Sequence, residues 1–367
     1  MKLEIEDIVQ RYRLLPIQVV TTSNGLVLRR GVERFRISGD GAQEVLEQVL
    51  QAASREQGAT IEELCTQVSG LEEADIRNIV DQLVLRRFLV EIGNDEFPDW
   101  PQPNEESSSD VFYWQYGVSP RRMVDEFRNI RMAIVGVNHI SQRLVSSFQQ
   151  CGFDNFCVID HPMLRNLRLF DNTGSLNDES WASGSPSPTD FDDWVKSDPL
   201  VDCLVVASDF GGMGTLREWN DFAVRSDINF FPVILQDGIG MVGPLVIPHE
   251  TACYECLWAR QNSHLIDPER QRAAEDVSFY GQLVNGYLQP MASILAEITA
   301  MELVRAYSKS MKESSPGRLV EVDLTEPSLQ TRKVLKVPRC PVCGPLTTQA
   351  SRTVDQNVFM VGNENNP

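Results

Sequence analysis

The chain has 367 residues, 42% of them hydrophobic, and a formal net charge of −19. This length is sufficient for two or more domains, each with its own core. The negative charge disfavours binding to nucleic acid and to anionic membranes, because both partners are polyanions. The first residues are charged, unlike those of a signal peptide, and no apolar run approaches the roughly 18 residues of a membrane span. We therefore expect a soluble, cytoplasmic protein.

Residues 1–92 predict a small domain in which three strands precede three helices. Apolar residues alternate at 17–20, 26–30 and 33–37, and Asn24-Gly25 predicts a turn between the first two of these strands. Apolar residues at helical spacing predict helices over 41–53 and 73–86, and Thr60-Ile-Glu-Glu is a capping box that begins another helix. This order predicts a winged-helix-like domain.

Residues 93–125 are rich in proline and serine and predict a linker. Beyond it, buried-strand patterns at 130–136, 156–160 and 201–209 alternate with helical patterns. This alternation predicts an α/β domain over 126–350 with a mostly parallel, doubly wound sheet. We also expect an irregular, mobile loop over 171–193, a long helix over 283–307 and a C-terminal tail over 351–367.

Four cysteines form two CxxC pairs, Cys253/Cys256 and Cys340/Cys343. Prolines and a glycine near these thiols favour tight loops, and two such pairs are typical of a tetrahedral Zn²⁺ site. Four thiolates leave no open position for water, so the expected zinc is structural and not catalytic. Cysteines that only fill the core, or a redox dithiol, are the alternatives.

The first buried strand of the second domain runs into a turn at Gly136. A glycine-rich turn at this place lets a phosphate approach backbone N–H groups at a helix N-terminus, and an acidic residue at the end of the second strand, here Asp160, can hold a ribose. Only one glycine of a G-x-G-G-x-G pattern is present, because Asn138, His139 and Ser141 occupy the other three positions. These side chains crowd the space that a phosphate would need.

Residues 130–346 resemble the ThiF/MoeB/ubiquitin-activating superfamily, whose members adenylate a carboxylate with ATP and carry a paired-CxxC zinc. The resemblance rests on the Gly136 turn, on Asp160, on Arg165-Asn166-Leu167-Arg168 as an echo of S-N-L-x-R, and on Ser208-Asp209, besides the cysteines. It implies that Asp209 matches an aspartate that helps to place Mg²⁺ and ATP. The residues of this remnant nucleotide cleft are Gly136, Asp160, Asn166, Arg168 and Asp209.

The chain departs from the family pattern where the triphosphate would bind. The arginine lies at Arg168 and not at Leu169, and no lysine occurs between Arg168 and Lys196. That stretch instead contains Asp171, Asp178, Glu179, Asp190, Asp192 and Asp193. Since phosphate binding depends on arginine and lysine partners, we expect no ATP or Mg²⁺ in this cleft and assign no catalytic residue.

A narrower resemblance involves the segment 240–257, Asn285-Gly-Tyr-Leu-Gln-Pro and the terminal Pro-Arg-Cys-Pro-Val-Cys-Gly. These motifs look like those of the ThiF-like partner proteins of azoline-forming peptide biosynthesis, which accompany a YcaO cyclodehydratase. The first domain, with Asn24-Gly-Leu-Val-Leu-Arg-Arg-Gly, resembles the PqqD-like recognition element. The resemblance implies a non-catalytic protein that binds the leader of a ribosomally made precursor and presents the core peptide to a separate YcaO enzyme. A homodimer is expected by analogy.

The leader would add as a strand to the open edge at Glu33–Ile37, with the helix over 75–87 as the other wall of the groove. Four arginines in eight positions could attract an acidic leader. The predicted peptide-binding residues are Arg29, Arg30, Glu33, Arg34, Phe35, Arg36, Ile37, Ile76, Ile79, Val80 and Leu83.

Two other functions remain open from the sequence. The chain could be an active adenylating enzyme that uses Mg-ATP on a peptide or carrier-protein carboxylate. It could also be a regulator whose winged helix binds DNA, although the net charge of −19 opposes this.

Overall fold

The computed structural model describes residues 10–22, 25–30, 33–39, 41–68, 70–92, 107–116, 118–177, 181, 186–197, 199–210, 212–263, 265–277, 286–309, 311 and 316–344. The chain divides into two compact units, Met1–Met123 and Val124–Pro367. The features predicted at Asn24, 93–106, Asp178, Glu179, Asn285 and 351–367 lie outside the described residues. No helix in the described ranges is both long and apolar enough to cross a membrane.

Within its described residues, the first unit contains a three-stranded antiparallel meander, a separate two-stranded ladder and four helices. Its elements are β1 Arg11–Leu14, β2 Gln18–Thr22, β3 Gly25–Arg30, β4 Glu33–Ile37, α1 Ala42–Ala53, α2 Ile61–Gln67, α3 Glu73–Leu85, β5 Leu89–Ile92 and α4 Ser108–Trp114. The meander has the order β2-β3-β4, so β2 and β4 are its edges, and β1 pairs with β5. The three predicted strands form as β2, β3 and β4, and the three predicted helices follow them, but β1 precedes the meander and β5 and α4 follow the helices.

Alternation along β3 determines which face of the meander is buried. Leu26 and Leu28 are fully buried, whereas Val27 between them is partly exposed and Arg29 is exposed. The helices cover the leucine face. The capping box of α2 forms as expected, because the Thr60 hydroxyl accepts from the Glu63 N–H at 3.1 Å and the Glu63 carboxylate accepts from the Thr60 N–H.

The linker prediction differs from the structure at Ser108–Trp114, which is the helix α4. Ser107 caps this helix and pairs reciprocally with Asp110, so a serine-rich stretch that suggested a linker supplies a helix start instead. Trp114 is buried and packs with Leu15 and Val90.

The second unit is built around an eight-stranded sheet. The helix α5, Pro120–Arg128, contains the boundary between the units, and the elements that follow are β6 Met132–Val135, α6 His139–Cys151, β7 Phe156–Asp160, β8 Thr189–Asp190, α7 Phe191–Lys196, β9 Cys203–Ser208, α8 Met213–Arg225, β10 Asn229–Gln236, β11 Ile239–Val242, α9 Tyr254–Gln261, α10 Pro268–Val277, α11 Gln289–Tyr307, β12 Arg318–Asp323 and β13 Ser328–Lys333. Two 3₁₀ turns, Pro162–Leu164 and Leu167–Leu169, follow β7.

The sheet has the order β13-β12-β11-β10-β9-β6-β7-β8. The five strands from β10 to β8 are parallel, and β11, β12 and β13 continue the sheet antiparallel. From β6 the chain proceeds to β7 and β8 on one side, and it then returns to form β9 on the other side of β6. The carboxyl ends of β6 and β9 therefore form a topological switch point, which is where open α/β sheets bind ligands.

The predicted strand 156–160 is confirmed as β7. All residues of β6 and β9 are buried, which explains their uninterrupted apolar patterns. The long helix begins at Gln289, later than the predicted 283, because Leu288 has an extended backbone and Pro290 occupies the first turn. The loop expected over 171–193 contains the short strand β8 and the start of α7.

Candidate functional site

The four cysteines of the two CxxC pairs lie together in the second unit, with sulfur atoms all within 4.8 Å of one another. Cys253 Sγ is 3.5 Å from Cys340 Sγ, and Cys256 Sγ is 3.4 Å from Cys343 Sγ. A tetrahedral site with metal–sulfur bonds of about 2.3 Å has sulfur–sulfur edges of about 3.8 Å. The four thiols could therefore hold a metal ion after only small shifts.

Backbone and side-chain contacts hold the two CxxC pairs in this arrangement. Cys253 precedes the first residue of α9, and Asn220 of α8 fixes this helix start by accepting the Tyr254 N–H at 2.8 Å. The Val337 N–H points at Cys256 Sγ at 3.3 Å. A Cβ at Gly344 would lie 2.3 Å from the Cys340 carbonyl oxygen, so the second loop closes only with glycine there.

The crowded thiols affect one another's protonation. The hydrogen bond between Cys253 and Cys256 raises the pKa of the Cys253 thiol and lowers that of Cys256, and the bond with Cys253 likewise lowers the pKa of Cys340. Four thiolates this close together need a cation to balance their charge. Among the described residues, the possible metal ligands here are the four cysteines alone, a set that suits a structural ion.

The Gly136 turn lies at the switch point between β6 and β9. Gly136 has a φ of 107°, and a Cβ there would lie 2.7 Å from the Ala207 carbonyl oxygen and 2.9 Å from Asn138 Nδ2. Only glycine fits this turn, because a side chain would collide with these neighbouring protein atoms. The glycine is therefore no evidence of space for a phosphate.

Asn138 fills the turn and connects three parts of the unit. It is fully buried and caps α6, where its Oδ1 accepts from the Ser141 N–H at 3.1 Å. Its Nδ2 donates to the carbonyl oxygens of Ala207 at 2.7 Å and Leu164 at 3.3 Å. The side chain that replaces the second glycine of the family pattern therefore ties β9, the first 3₁₀ turn and α6 together.

Asp209 follows β9 and is fully buried. Its Oδ2 accepts three hydrogen bonds, from the His139 N–H at 2.9 Å, from Asn166 Nδ2 at 2.9 Å and from the Tyr287 hydroxyl at 2.5 Å. Among the described residues, Oδ1 has no hydrogen-bond partner. Groups of the protein itself thus surround the carboxylate that the family resemblance assigned to Mg²⁺ and ATP.

The donors around Asp209 can be assigned from their chemistry. An ionised carboxylate only accepts, so the Tyr287 hydroxyl donates to it and the tyrosine oxygen accepts from Asn166 Nδ2 at 2.8 Å. His139 Nδ1, 2.7 Å from the same oxygen, then carries a proton. Burial and the neighbouring Asp209 raise the pKa of the Tyr287 phenol, so it remains a donor.

The other two predicted cleft residues differ in their relation to this cluster. The Arg168 N–H donates to Asn166 Oδ1 at 3.1 Å, so Arg168 adjoins the cluster through its backbone, whereas Asp160 is paired elsewhere. Both carboxylate oxygens of Asp160 accept from Arg165, at 2.6 and 2.8 Å, and are thus occupied where a ribose would need them. Arg168 is exposed, whereas Leu169, at the arginine position of the family, is buried. Gly136, Asn166 and Asp209 do come together as expected. Tyr287 was missed, although it lies within the quoted Asn285-Gly-Tyr-Leu-Gln-Pro motif.

In the first unit, β4 forms an edge of the meander as predicted. Phe35 and Ile37 are partly buried and pack against the core, whereas Arg34 and Arg36 are exposed. The Phe35 ring lies 6.2 Å from that of Phe88, and the Arg86 guanidinium lies 4.6 Å above it. The edge therefore has an apolar face beside the end of α3 and a basic face opposite.

The structure places four of the predicted peptide-binding residues inside the first unit. Ile76, Val80 and Leu83 are fully buried in its core, and only Ile79 of the predicted α3 positions is partly exposed. Arg30 is also buried, and its guanidinium donates to the Trp114 carbonyl oxygen at 3.5 Å. Arg30 therefore does not share an exposed strip with Arg29, Arg34 and Arg36.

Comparison with known proteins identifies the fold. Residues 180–342 match the ThiF family model, and no curated protein matches the chain in sequence. The crystal structure of E. coli MccB with AMPCPP and MccA has a TM-score of 0.66 and 16% identity, and the match covers 91% of this chain and 99% of that one. The heterocyclase TruD has a TM-score of 0.60 and 16% identity, covering 91% of this chain and 43% of TruD. A heterocyclase in complex with substrate and cofactor matches with a TM-score of 0.57 at 15% identity, and 39% of its length is covered.

These matches confirm the ThiF-like part of the expected resemblance. The PqqD-like assignment of the first unit stays a prediction. Over residues 180–342 the chain is similar in sequence to the ThiF family, and its fold is the one seen in E. coli MccB and in part of the heterocyclase TruD.

Proposed function

We propose that this protein binds the leader of a ribosomally made precursor peptide and presents the core peptide to a separate YcaO-type cyclodehydratase for azoline formation. The observation that carries the proposal is the β4 edge of the first unit, which pairs with no further strand in the described part of the chain and has an apolar and a basic face. An unpaired strand edge offers backbone donors and acceptors to an extended peptide. Similarity to MccB solved with MccA, and to heterocyclases, supports a peptide as the partner.

The leader would form a fourth strand beside β4. Phe35 and Ile37 would contact alternate leader residues on one face, together with Ile79 and the C-terminal end of α3. Because Ile76, Val80 and Leu83 are occupied by core packing, these three would support the groove from below without touching the peptide. The PqqD-like role of residues 1–92 is part of this proposal.

The second unit would serve as a scaffold without phosphate chemistry. Asn138 fills the turn at Gly136, Asp209 is held by three protein donors and Asp160 is paired with Arg165. A nucleotide would have to displace each of these interactions, and the stretch between Arg168 and Lys196 offers it no lysine in exchange. We further propose that Cys253, Cys256, Cys340 and Cys343 hold a structural Zn²⁺, and that the chain forms a homodimer in the cytoplasm.

Binding of the leader can be tested with synthetic peptides that correspond to the N-terminal halves of short open reading frames beside this gene. Fluorescence anisotropy would identify the peptide that binds. Two versions of it would then be N-methylated at alternate residues. Because alternate amides of an added strand face its neighbour, one version should lose binding and the other should retain it. Equal binding by both versions, or no binding peptide, would refute the proposal.

An active adenylating enzyme is the second candidate. It is favoured by the match to E. coli MccB, which has also been solved with ATP, and by the presence of Asp209 at the matching place. Pyrophosphate exchange with the binding peptide separates the two functions. The leader-binding proposal expects no exchange above background, whereas peptide-dependent exchange would establish adenylation.

A further inference from the structure

The three exposed arginines of the meander lie on one face of the sheet. Arg29 of β3 is directly opposite Arg34 of β4, and Arg36 is directly opposite Val27. Directly opposite residues in an antiparallel pair lie on the same face, and alternate residues of a strand share a face. Arg29, Arg34 and Arg36 therefore form one surface, which we call the basic face.

The basic face has no acidic side chain among its described members. The pairing of β2 with β3 places Gln18 opposite Arg29 and Val20 opposite Val27. The residues of β2 on this face therefore belong to it as well. The full membership is Gln18, Val20, Thr22, Gly25, Val27, Arg29, Arg34 and Arg36. Within the described ranges, neither Arg29 nor Arg34 forms an ion pair. In a chain of net charge −19, three arginines on one small sheet face are a local exception.

This arrangement lowers the stability of the sheet. Like charges directly opposite one another in an antiparallel pair are destabilising, and Arg29 and Arg34 occupy such positions. The buried face of the same strands is different, because Arg30 and Glu33, also directly opposite, carry opposite charges. A repulsive pair on the exposed face is explained if an anionic partner covers it.

The edge beside the basic face determines what kind of partner fits. A strand that pairs with β4 places alternate side chains next to Arg34 and Arg36, and the remaining ones next to Phe35 and Ile37. We propose that the ligand of this edge is an acidic peptide in which carboxylate residues alternate with apolar residues. The inference rests on the proposed function and adds the sequence rule by which the leader is recognised.

A nucleic acid is the other anionic partner to consider. It would meet three arginines on a face only three strands wide, while the rest of the chain carries a large negative charge that repels it. An extended peptide uses both the unpaired backbone edge and the arginines. The geometry therefore favours the peptide.

The probe is a fluorescein-labelled nonapeptide in which Glu alternates with Leu and Val. Two control peptides accompany it. One carries Lys in place of every Glu, and the other has the same composition with all Glu residues in one block and the apolar residues in another. Binding is measured for the full-length protein, for Arg29→Glu and Arg34→Glu, and for the control Arg55→Glu, whose exposed arginine lies after α1 in the same unit. Each charge-reversing substitution on the basic face should weaken binding of the acidic alternating peptide by about tenfold, and added salt should weaken this binding further.

Arg29→Glu and Arg34→Glu should also raise the unfolding temperature, because each replaces a like-charge pair with an opposite-charge pair. Greater stability with weaker binding cannot result from misfolding. Unchanged binding in both variants, equal binding of the basic or block peptide, or displacement by duplex DNA in preference to peptide would overturn the inference. If the N-methylated leaders behave as proposed while these variants bind normally, leader binding stands and only the charge rule fails.

Discussion

Replacing Asn138 by aspartate removes the hydrogen bonds that its Nδ2 donates within the turn at Gly136. Aspartate caps a helix as well as asparagine does, so the bond from the Ser141 N–H is retained. The two donors of Nδ2 are lost, and a carboxylate oxygen would lie near 2.7 Å from the Ala207 carbonyl oxygen. Any loss of stability therefore comes from the lost bridge to Ala207 and Leu164 together with the cost of burying a carboxylate in its place.

The expected magnitude follows from the burial of these groups. Asn138 is fully buried, so the two carbonyl oxygens that it serves cannot turn to water. A buried acceptor left without its donor costs about 1–3 kcal/mol, and the 3.3 Å bond to Leu164 contributes less than the 2.7 Å bond to Ala207. The free energy of unfolding should fall by about 2–4 kcal/mol in Asn138→Asp.

Urea unfolding followed by hydrogen exchange and mass spectrometry would measure this loss, with peptides from β6, α6 and β9 reporting on the second unit alone. The control is Asn129→Asp, an exposed asparagine whose side chain makes one bond to the Asp125 carbonyl oxygen. It should change stability by less than about 0.5 kcal/mol. If Asn138→Asp were as mild as the control, the conclusion that Asn138 fills the turn would be refuted.

Three further outcomes are expected. Tyr287→Phe removes one of three donors to buried Asp209 and should lower the unfolding free energy by about 1–2 kcal/mol, measured by urea unfolding; no change would contradict the assigned hydrogen bonds. Burial lowers the pKa of His161 to about 4, so the wild type should lose about 3 kcal/mol relative to His161→Phe as the pH falls from 7 to 4, because the unfolded chain takes up the proton first. A pH-independent difference would contradict this. Cys343→Ser should reduce the zinc content, measured by mass spectrometry, from about one ion per chain to near zero and lower the unfolding temperature, and unchanged zinc would show that the four cysteines are not its ligands.

Local patterns predicted the elements and the cysteine cluster well. The apolar run 156–160 and the capping box at Thr60 each describe a single stretch of chain, and both formed as expected. The two CxxC pairs carry their own loop chemistry, so their meeting could be expected although the pairs are far apart in sequence. Gly136 was located correctly in the turn after the first buried strand, but the structure gives neighbouring protein atoms, and not a phosphate, as the reason for the glycine.

The contents of the cleft could not be read from local patterns. That Tyr287 donates to Asp209 depends on long-range packing that no spacing encodes. That Arg165 pairs with Asp160, five residues earlier, depends on the conformation of the 3₁₀ turn between them. For α3, helical spacing identifies an apolar face but cannot tell whether a core or a ligand covers it, and here Ile76 and its neighbours pack into the core.

The position of Arg30 is a different case, because a signal for it was present. Successive residues of a strand point to opposite faces, so Arg29 and Arg30 could not both belong to one exposed strip. The structure places Arg30 on the buried face and Arg29 on the basic face.

Hydrogen exchange of the intact protein with and without its leader peptide tests the central claim most directly. If the leader adds to β4, the slowing of exchange should concentrate in Glu33–Ile37. The opposite edge, Gln18–Thr22, and the turn at Gly136 should exchange as before. Protection of β2 instead of β4, or no protection in the meander at saturating peptide, would contradict leader capture at this edge.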